Sequence, residues 1–338
     1  MTSGAHERAS RRPRADLAAP ALDGAGWLPR PVAEQLGGRV ADLVGDLVID
    51  LERTVPGAVD AAYVVGSAAV RDHRSGLDDV ELVLVLAGRP DALLGRLLDD
   101  VHERVERAHP DLRPDLVYTT WRDLGRPPAM SGTASGAASG PAPVTPGLAR
   151  RGGVTLTGAE CAPTAFTRQQ LLDHGVAVIG PSVSIAQVVV TRDALAAQCL
   201  REIAECWTPW WERSALLLSS AGRASLSPLV TDPVLRITRL HHTLLSGEVL
   251  SLSDVGQWAL TVCEPQWSRL LRESLLVRQD PTAASLYRNP FARRRDALAF
   301  TDLLMTVDEE TYGAPPVRQL PLVTPGQVES RRRLVGRR

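Results

Sequence analysis

Ala61-Ala62-Tyr63-Val64-Val65-Gly66-Ser67, with Asp78-Asp79-Val80-Glu81-Leu82-Val83-Leu84-Val85-Leu86 close behind it, decides the fold. The first run is a short apolar strand that ends at Gly66-Ser67. The second opens with two acids, Asp78 and Asp79, and from Val80 to Leu86 is apolar except for Glu81, which predicts a strand buried on both faces. Working outward, Val32, Leu36, Val40, Leu43 and Leu47 recur at helical spacing and stop at Pro56-Gly57. Downstream, Leu93, Leu94, Leu97, Leu98, Val101 and Val105 form another helical stripe, and Asp115-Leu116-Val117-Tyr118 reads as a third strand. Residues 31–124 are therefore expected to form one mixed α/β unit.

The rest of the chain changes character. Residues 1–30 are polar and contain Arg11, Arg12 and Arg14, which reads as a disordered tail, with a transit peptide as the alternative. Residues 125–153 are rich in Gly, Ala, Ser and Pro and read as a flexible insertion. An interdomain segment, 154–190, holds one short strand at Val176–Ile179. From Thr191 to Tyr312 the pattern is all-helical. One helix carries Leu195, Cys199, Ile203 and Cys206 and is expected to break near Pro209. Another is expected to open with Asp232 as N-cap and Pro233 at the first helical position, and to stop at Ser246-Gly247. Ser251 and Asp254 resemble a capping box ahead of Trp258. The Trp207, Trp210, Trp211 cluster and His241 read as packing residues, and Arg293, Arg294 and Arg295 as a solvated face. Residues 313–338 read as a tail. The expected class is α+β, an α/β domain followed by a helical one.

Composition narrows the function. The chain has 338 residues, a formal net charge of −1 and 44% hydrophobic residues, enough for two cores and no advertisement for nucleic acid. Every one of its 38 basic residues is arginine, so any cationic contact with a phosphate must be made by a guanidinium. The cysteines at 161, 199, 206 and 263 show no metal-ligand spacing, and Cys199 and Cys206 are expected to be buried on one helical face. With no apolar signal core and no membrane-length run, a soluble, cytoplasmic, monomeric protein is expected.

The chemistry is expected in three acids beside a Gly-Ser turn. Asp79 and Glu81 lie two apart on a strand and so point to the same side. Asp115 opens a strand that could lie alongside. Gly66-Ser67 offers backbone N–H groups and a hydroxyl to a phosphate. Nucleotidyl transfer needs such a set: hard divalent cations on carboxylates neutralise a triphosphate and activate a hydroxyl. Each residue alone has an ordinary reading, as a turn, a strand end or a surface acid. Glu81 is the exception, since a carboxylate inside an apolar strand needs a partner or a metal.

The pattern Gly66-Ser67, Asp79-Val80-Glu81, Asp115 resembles the polymerase-beta-type nucleotidyltransferases. The run Val234 to Thr243, then Ser246-Gly247-Glu248-Val249 and Gln257-Trp258-Ala259-Leu260, is similar to the C-terminal helical domain of streptomycin/spectinomycin adenylyltransferases, and Val178-Ile179-Gly180-Pro181 to a segment between their domains. The resemblance spans roughly residues 35–310. It implies ATP as co-substrate, Mg²⁺, and a site in the interdomain cleft. Asp79 and Glu81 would hold metal, and Asp115 would bind metal or act as the base on an acceptor hydroxyl. Gly66 and Ser67 would meet the triphosphate, and Arg239 would contact phosphates. The implied partners are an NTP and a small-molecule hydroxyl, aminoglycoside- or aminocyclitol-like. The chain departs from the family in three places: Glu81 replaces the commoner aspartate, Asp115 a glutamate, and Leu252 a phosphate-contacting lysine. Those departures keep open a second expectation, a catalytically degenerate module that senses nucleotides or binds a partner.

Overall fold

The computed structural model describes residues 28–90, 92–127, 147–158, 161–216 and 227–311. The expected tail at 313–338, and most of the expected N-terminal tail and insertion, lie outside these residues.

The chain opens with helices α1 (Arg30–Leu36) and α2 (Gly38–Thr54), separated at Gly37, whose φ of 82° only glycine adopts readily. Next come β1 (Val59–Val65), the single turn α3 (Gly66–Ala69), β2 (Val80–Leu86), α4 (Ala92–Ala108), β3 (Pro114–Thr120) and the short α5 (Trp121–Leu124). Then follow β4 (Gly147–Arg151), β5 (Val154–Gly158), α6 (Ala165–His174) and β6 (Val176–Ile179). The six strands form one mixed sheet in the order β5-β4-β3-β2-β1-β6. Only β2 and β3 are parallel, joined through α4. The class is α+β.

Alternation along the central strands builds two cores. Ala62 and Val64, with Val80, Leu82, Leu84 and Leu86, pack beneath α1, α2 and α4. Their neighbours Ala61, Tyr63, Val65, Val83 and Val85 face the other way, against Leu124 and Leu171. Strand β2 is buried on both faces, as its apolar run predicts. Glu81 shares the second face.

The helical half comprises α7 (Arg192–Glu202), α8 (Thr208–Leu216), α9 (Ser227–Ser246), α10 (Leu252–Val262), α11 (Ser268–Gln279) and α12 (Pro290–Thr311). Its core gathers Cys199, Ile203, Val234, Ile237, Leu240, Ala259, Leu270 and Phe300, with Trp207, Trp210 and Trp211 packed against it. Ser251 caps α10 by accepting from the Asp254 N–H, and Gly247 (φ 81°) follows the end of α9. Among the described residues, no helix is long and apolar enough to cross a membrane.

Several sequence expectations need correction. The stretch expected to be a flexible insertion ends in the β4–β5 hairpin, turned by Gly152-Gly153 with φ of 55° and 77°. Helix α9 starts at Ser227, so Pro233 lies inside it and Asp232 is not its N-cap. The Asp232 carboxylate instead accepts from Arg236 Nε at 2.6 Å, one turn on. The helix carrying Cys199 does not break at Pro209 but widens into a π-turn at Ile203–Trp207 and continues as α8. That wide turn rotates the later side chains, leaving Cys206 exposed while Cys199 is buried. Arg293 and Arg294 are buried rather than solvated: Arg293 donates to Glu273 at 2.9 Å and Arg294 to the Ser214 carbonyl.

One buried cluster ties the two halves together. Arg278 on α11 donates from Nε and Nη2 to Asp72 Oδ2 (3.2 and 3.0 Å) and from Nη2 to the Asp72 carbonyl (2.7 Å). It also donates to both oxygens of Asp78 (3.2 and 2.8 Å). Ser253, at the start of α10, gives its N–H and hydroxyl to the same Asp72. Burial pushes the Asp72 carboxyl upward, but Ser253 and Arg278 outweigh it and hold the group below the ordinary carboxylate range. Replacing Arg278 with Met, which strands two buried aspartates, should lower the unfolding free energy by about 3–5 kcal/mol in urea at neutral pH. Because the folded pKa of Asp72 is depressed, its contribution is complete above pH ~4 and fades below it. The gap between wild type and Arg278→Met should therefore narrow in acid.

Candidate active site in the cleft between the halves

A cleft opens between the end of β1 and the helical half. It is lined on one side by Gly66, Ser67, Val70, Asp79 and Glu81, and on the other by Arg236, Arg239 and the Val249–Leu252 segment. Residues 170 and 174 of α6 close a third side. Of the expected site residues, Gly66, Ser67, Asp79, Glu81 and Arg239 line this cleft; Asp115 stands next to Glu81 behind it.

The sheet explains the grouping of acids. Parallel pairing sets Glu81 opposite Asp115, and antiparallel pairing sets Glu81 opposite Val65, the residue before the Gly-Ser turn. Asp79, Glu81 and Asp115 therefore share one face and one end of the sheet. Their engagements differ. Asp79 pairs with Arg113 (2.8 Å) and Asp115 with Arg151 (3.3 Å), all four side chains being partly exposed. Glu81 has no such partner, and its Oε2 is a buried oxygen without a hydrogen bond. Burial first, then repulsion from Asp115 and Asp79, raise the Glu81 pKa against the pull of Arg239 and Arg236. Burial also raises the Asp115 carboxyl, opposed by Arg151. Among the described residues, no three acidic, histidine or cysteine side chains are drawn into a metal-holding cluster.

Gly66 makes room for Glu81. Its φ is +66°, and a Cβ there would collide with the Glu81 carboxylate. The turn that follows, α3, is only four residues long, so it contributes backbone N–H groups rather than a developed helix dipole.

The opposite wall supplies positive charge without lysine. Burial and repulsion from Arg236 lower the Arg239 pKa, while Glu81 supports its charge. The Arg239 guanidinium lies over the Phe166 ring at 5.0 Å, and its Nε has no hydrogen-bond partner. Arg236 completes the pair. Leu252, where the resemblance led to the expectation of a lysine, is buried with Leu235 and Leu275.

Three features escaped the sequence reading. Asp78, treated there as part of an acidic opening to β2, belongs to the Arg278 cluster. Arg236 faces the acids but was not singled out. Helix α6 was read only as part of a connecting segment, yet it grips the helical half. Asp173 accepts from the Val249 N–H (3.1 Å), and His174 donates from Nε2 to the Val249 carbonyl (3.1 Å). The i, i+4 spacing of Phe166, Gln170 and His174 was the available signal. His241, read as a packing residue, is buried and hydrogen-bonded to Asp308.

No protein-family model matches the chain, and no curated protein matches it. Among solved structures it is similar to a spectinomycin adenyltransferase from Enterococcus faecialis, solved with ATP and spectinomycin. The match covers 78% of this chain and 98% of that one, at 8% identity and a TM-score of 0.50. The chain shares the overall fold of that adenyltransferase. Because 78% of this chain is covered, more than either half holds, the likeness extends over both the sheet and the helical half.

Gly66→Ala tests the geometry directly. Forcing a Cβ into the left-handed region costs about 1–2 kcal/mol before any collision. The collision with Glu81 adds to that, so urea titration should show a loss at or above this range.

Proposed function

We propose that the chain is a nucleotidyltransferase that moves AMP from Mg·ATP to a hydroxyl of a small molecule, aminoglycoside- or aminocyclitol-like. The observation that carries the reading is Glu81. A buried, unpartnered carboxylate oxygen sits between two more acids and opposite two arginines, in the cleft of a nucleotidyltransferase-like fold.

The donor set fits a divalent cation. Burial, and then repulsion from Asp115 and Asp79, raise the Glu81 pKa, and a cation would relieve that repulsion. Their own partners, Arg113 and Arg151, form half-exposed pairs of the kind worth about 0–1 kcal/mol, so exchanging them for a cation costs little. Asp79, Glu81 and Asp115 would hold the ion, which would neutralise triphosphate charge and polarise the acceptor hydroxyl. Ser67 and the Gly66 turn would meet phosphate oxygens, and Arg236 and Arg239 would balance the remaining charge. Asp115, paired with Arg151 beside Glu81, would either share in holding the ion or, left unligated, take the hydroxyl proton.

The test is incubation with Mg²⁺, each NTP and a panel of aminoglycosides, with mass detection of nucleotidylated product and assay of pyrophosphate. Asp79→Ala and Glu81→Ala should each slow the reaction by about 10²–10³-fold, the several kcal/mol expected of a metal clamp. Melting curves should stay close to wild type; unchanged turnover in either variant would remove the proposal.

Leu252 favours a second reading, a degenerate module that still binds nucleotide. Leu252→Lys separates the two by titration with ATP. A large gain in affinity would mark a degraded site, whereas unchanged affinity would mean that Arg236 and Arg239 already serve the phosphates.

A further inference from the structure

Helix α6 meets the cleft directly through Gln170 and His174, one turn apart, and indirectly through Phe166, which lies beneath Arg239 one turn before them. Phe166 stacks under Arg239, at the charged end near Glu81. Four residues on, about 6 Å along the axis, Gln170 faces the cleft. Another turn on, His174 is bound to Val249, beside Val70 and Leu250. The wall thus grades from guanidinium and carboxylate to aliphatic side chains, with a single amide between them.

Gln170 is 6% exposed, yet among the described residues its side chain makes no hydrogen bond. The amide is open to the cleft rather than sealed in the core, so it is free to pair with a ligand there. Its chemistry narrows the ligand. The carboxamide offers an N–H donor beside a carbonyl acceptor, so its complement is an edge carrying an acceptor beside a donor. Phosphate oxygens are acceptors only and would leave the carbonyl facing negative charge. Adenine supplies the required edge at N7 and N6–H₂, whereas guanine presents two acceptors, N7 and O6. Val70, Val249, Leu250 and Leu252 provide apolar surface for a flat ring in the same cleft.

We propose that Gln170 is the base-reading residue of the cleft, pairing with N6 and N7 of adenine and so selecting ATP over GTP. This rests on the nucleotidyltransferase reading above. Neither the Gly-Ser turn nor the arginines can make that distinction, because both address phosphates common to all NTPs.

The experiment is calorimetric titration of the full chain, with Mg²⁺ and without acceptor, using ATP, GTP and 7-deaza-ATP, which lacks the N7 acceptor. Wild type should bind ATP about tenfold or more tightly than either of the others, the discrimination of one bidentate pair. Gln170→Met, neutral and of similar length, should weaken ATP about tenfold, leave GTP nearly unchanged and no longer distinguish 7-deaza-ATP. The 7-deaza arm uses the unaltered protein, so it stands even if the variant misfolds. Equal binding of ATP and 7-deaza-ATP by wild type would overturn the assignment. So would a loss in Gln170→Met shared equally by ATP and GTP, which would place the amide on sugar or phosphate. Failure of wild type to bind any NTP would instead sink the nucleotidyltransferase reading, and this inference with it.

Discussion

A guanidinium between two buried carboxylates is tolerable only when every donor and acceptor around it is met, because a lone buried charge costs several kcal/mol. Arg278 is met only while the halves of the chain are together. Its partners, Asp72 and Asp78, come from the loop between the Gly-Ser turn and β2, and Ser253 brings the start of α10 to the same oxygen. The loop so held begins just after Ser67 and ends just before Asp79. The cluster therefore fixes both borders of the acidic wall against the helical half. On the far side, α6 does the same through Asp173 and His174 on Val249. Between these two anchorages the cleft is built in advance, and Arg236 and Arg239 face Glu81 without any need for a partner to draw them there.

The acidic wall follows from strand periodicity. Residues two apart share a face, so Asp79 and Glu81 lie together, and parallel pairing adds Asp115 without any special loop. The same alternation sends Val80, Leu82 and Leu84 into the core beneath α2 and α4, so a register slip that moved Glu81 would also unpack that core. Site geometry and fold stability thus depend on one register.

This is why the acids were legible in the sequence and their partners were not. Strand β2 could be read because an apolar run broken by one glutamate has few other interpretations. Asp78 looked like a companion to Asp79, and nothing local to it points to an arginine two hundred residues away. The β4–β5 hairpin carried its signal in Gly152-Gly153 between Arg151 and Val154, but the Gly/Ser-rich stretch before it masked the pattern. Pro233 misled in the other direction. Asp-Pro is a good helix start in isolation, yet the helix around it is set by burial of Val230, Val234, Leu235 and Ile237 against its neighbours. Phe166, Gln170 and His174 had the right spacing for one helix face, but a mixed aromatic, amide and imidazole stripe has no single environment to announce.

The absence of lysine gives the cleft its particular character. A lysine at position 252 would place a compact, mobile charge at the start of α10; leucine there packs with Leu235 and Leu275 instead. Positive charge has moved to Arg236 and Arg239, one turn apart on α9, where side-chain contacts fix each of them. Arg236 is held by Asp232 and Arg239 by the Phe166 face. A guanidinium so held loses little further freedom when it meets a phosphate and can offer two parallel donors, which an ammonium cannot. The Arg239 Nε, which finds no partner among the described residues, is a donor already desolvated. It mirrors the unpartnered oxygen of Glu81 across the gap. Each is held by rigid neighbours, so one donor and one acceptor at this end of the cleft stay unspent.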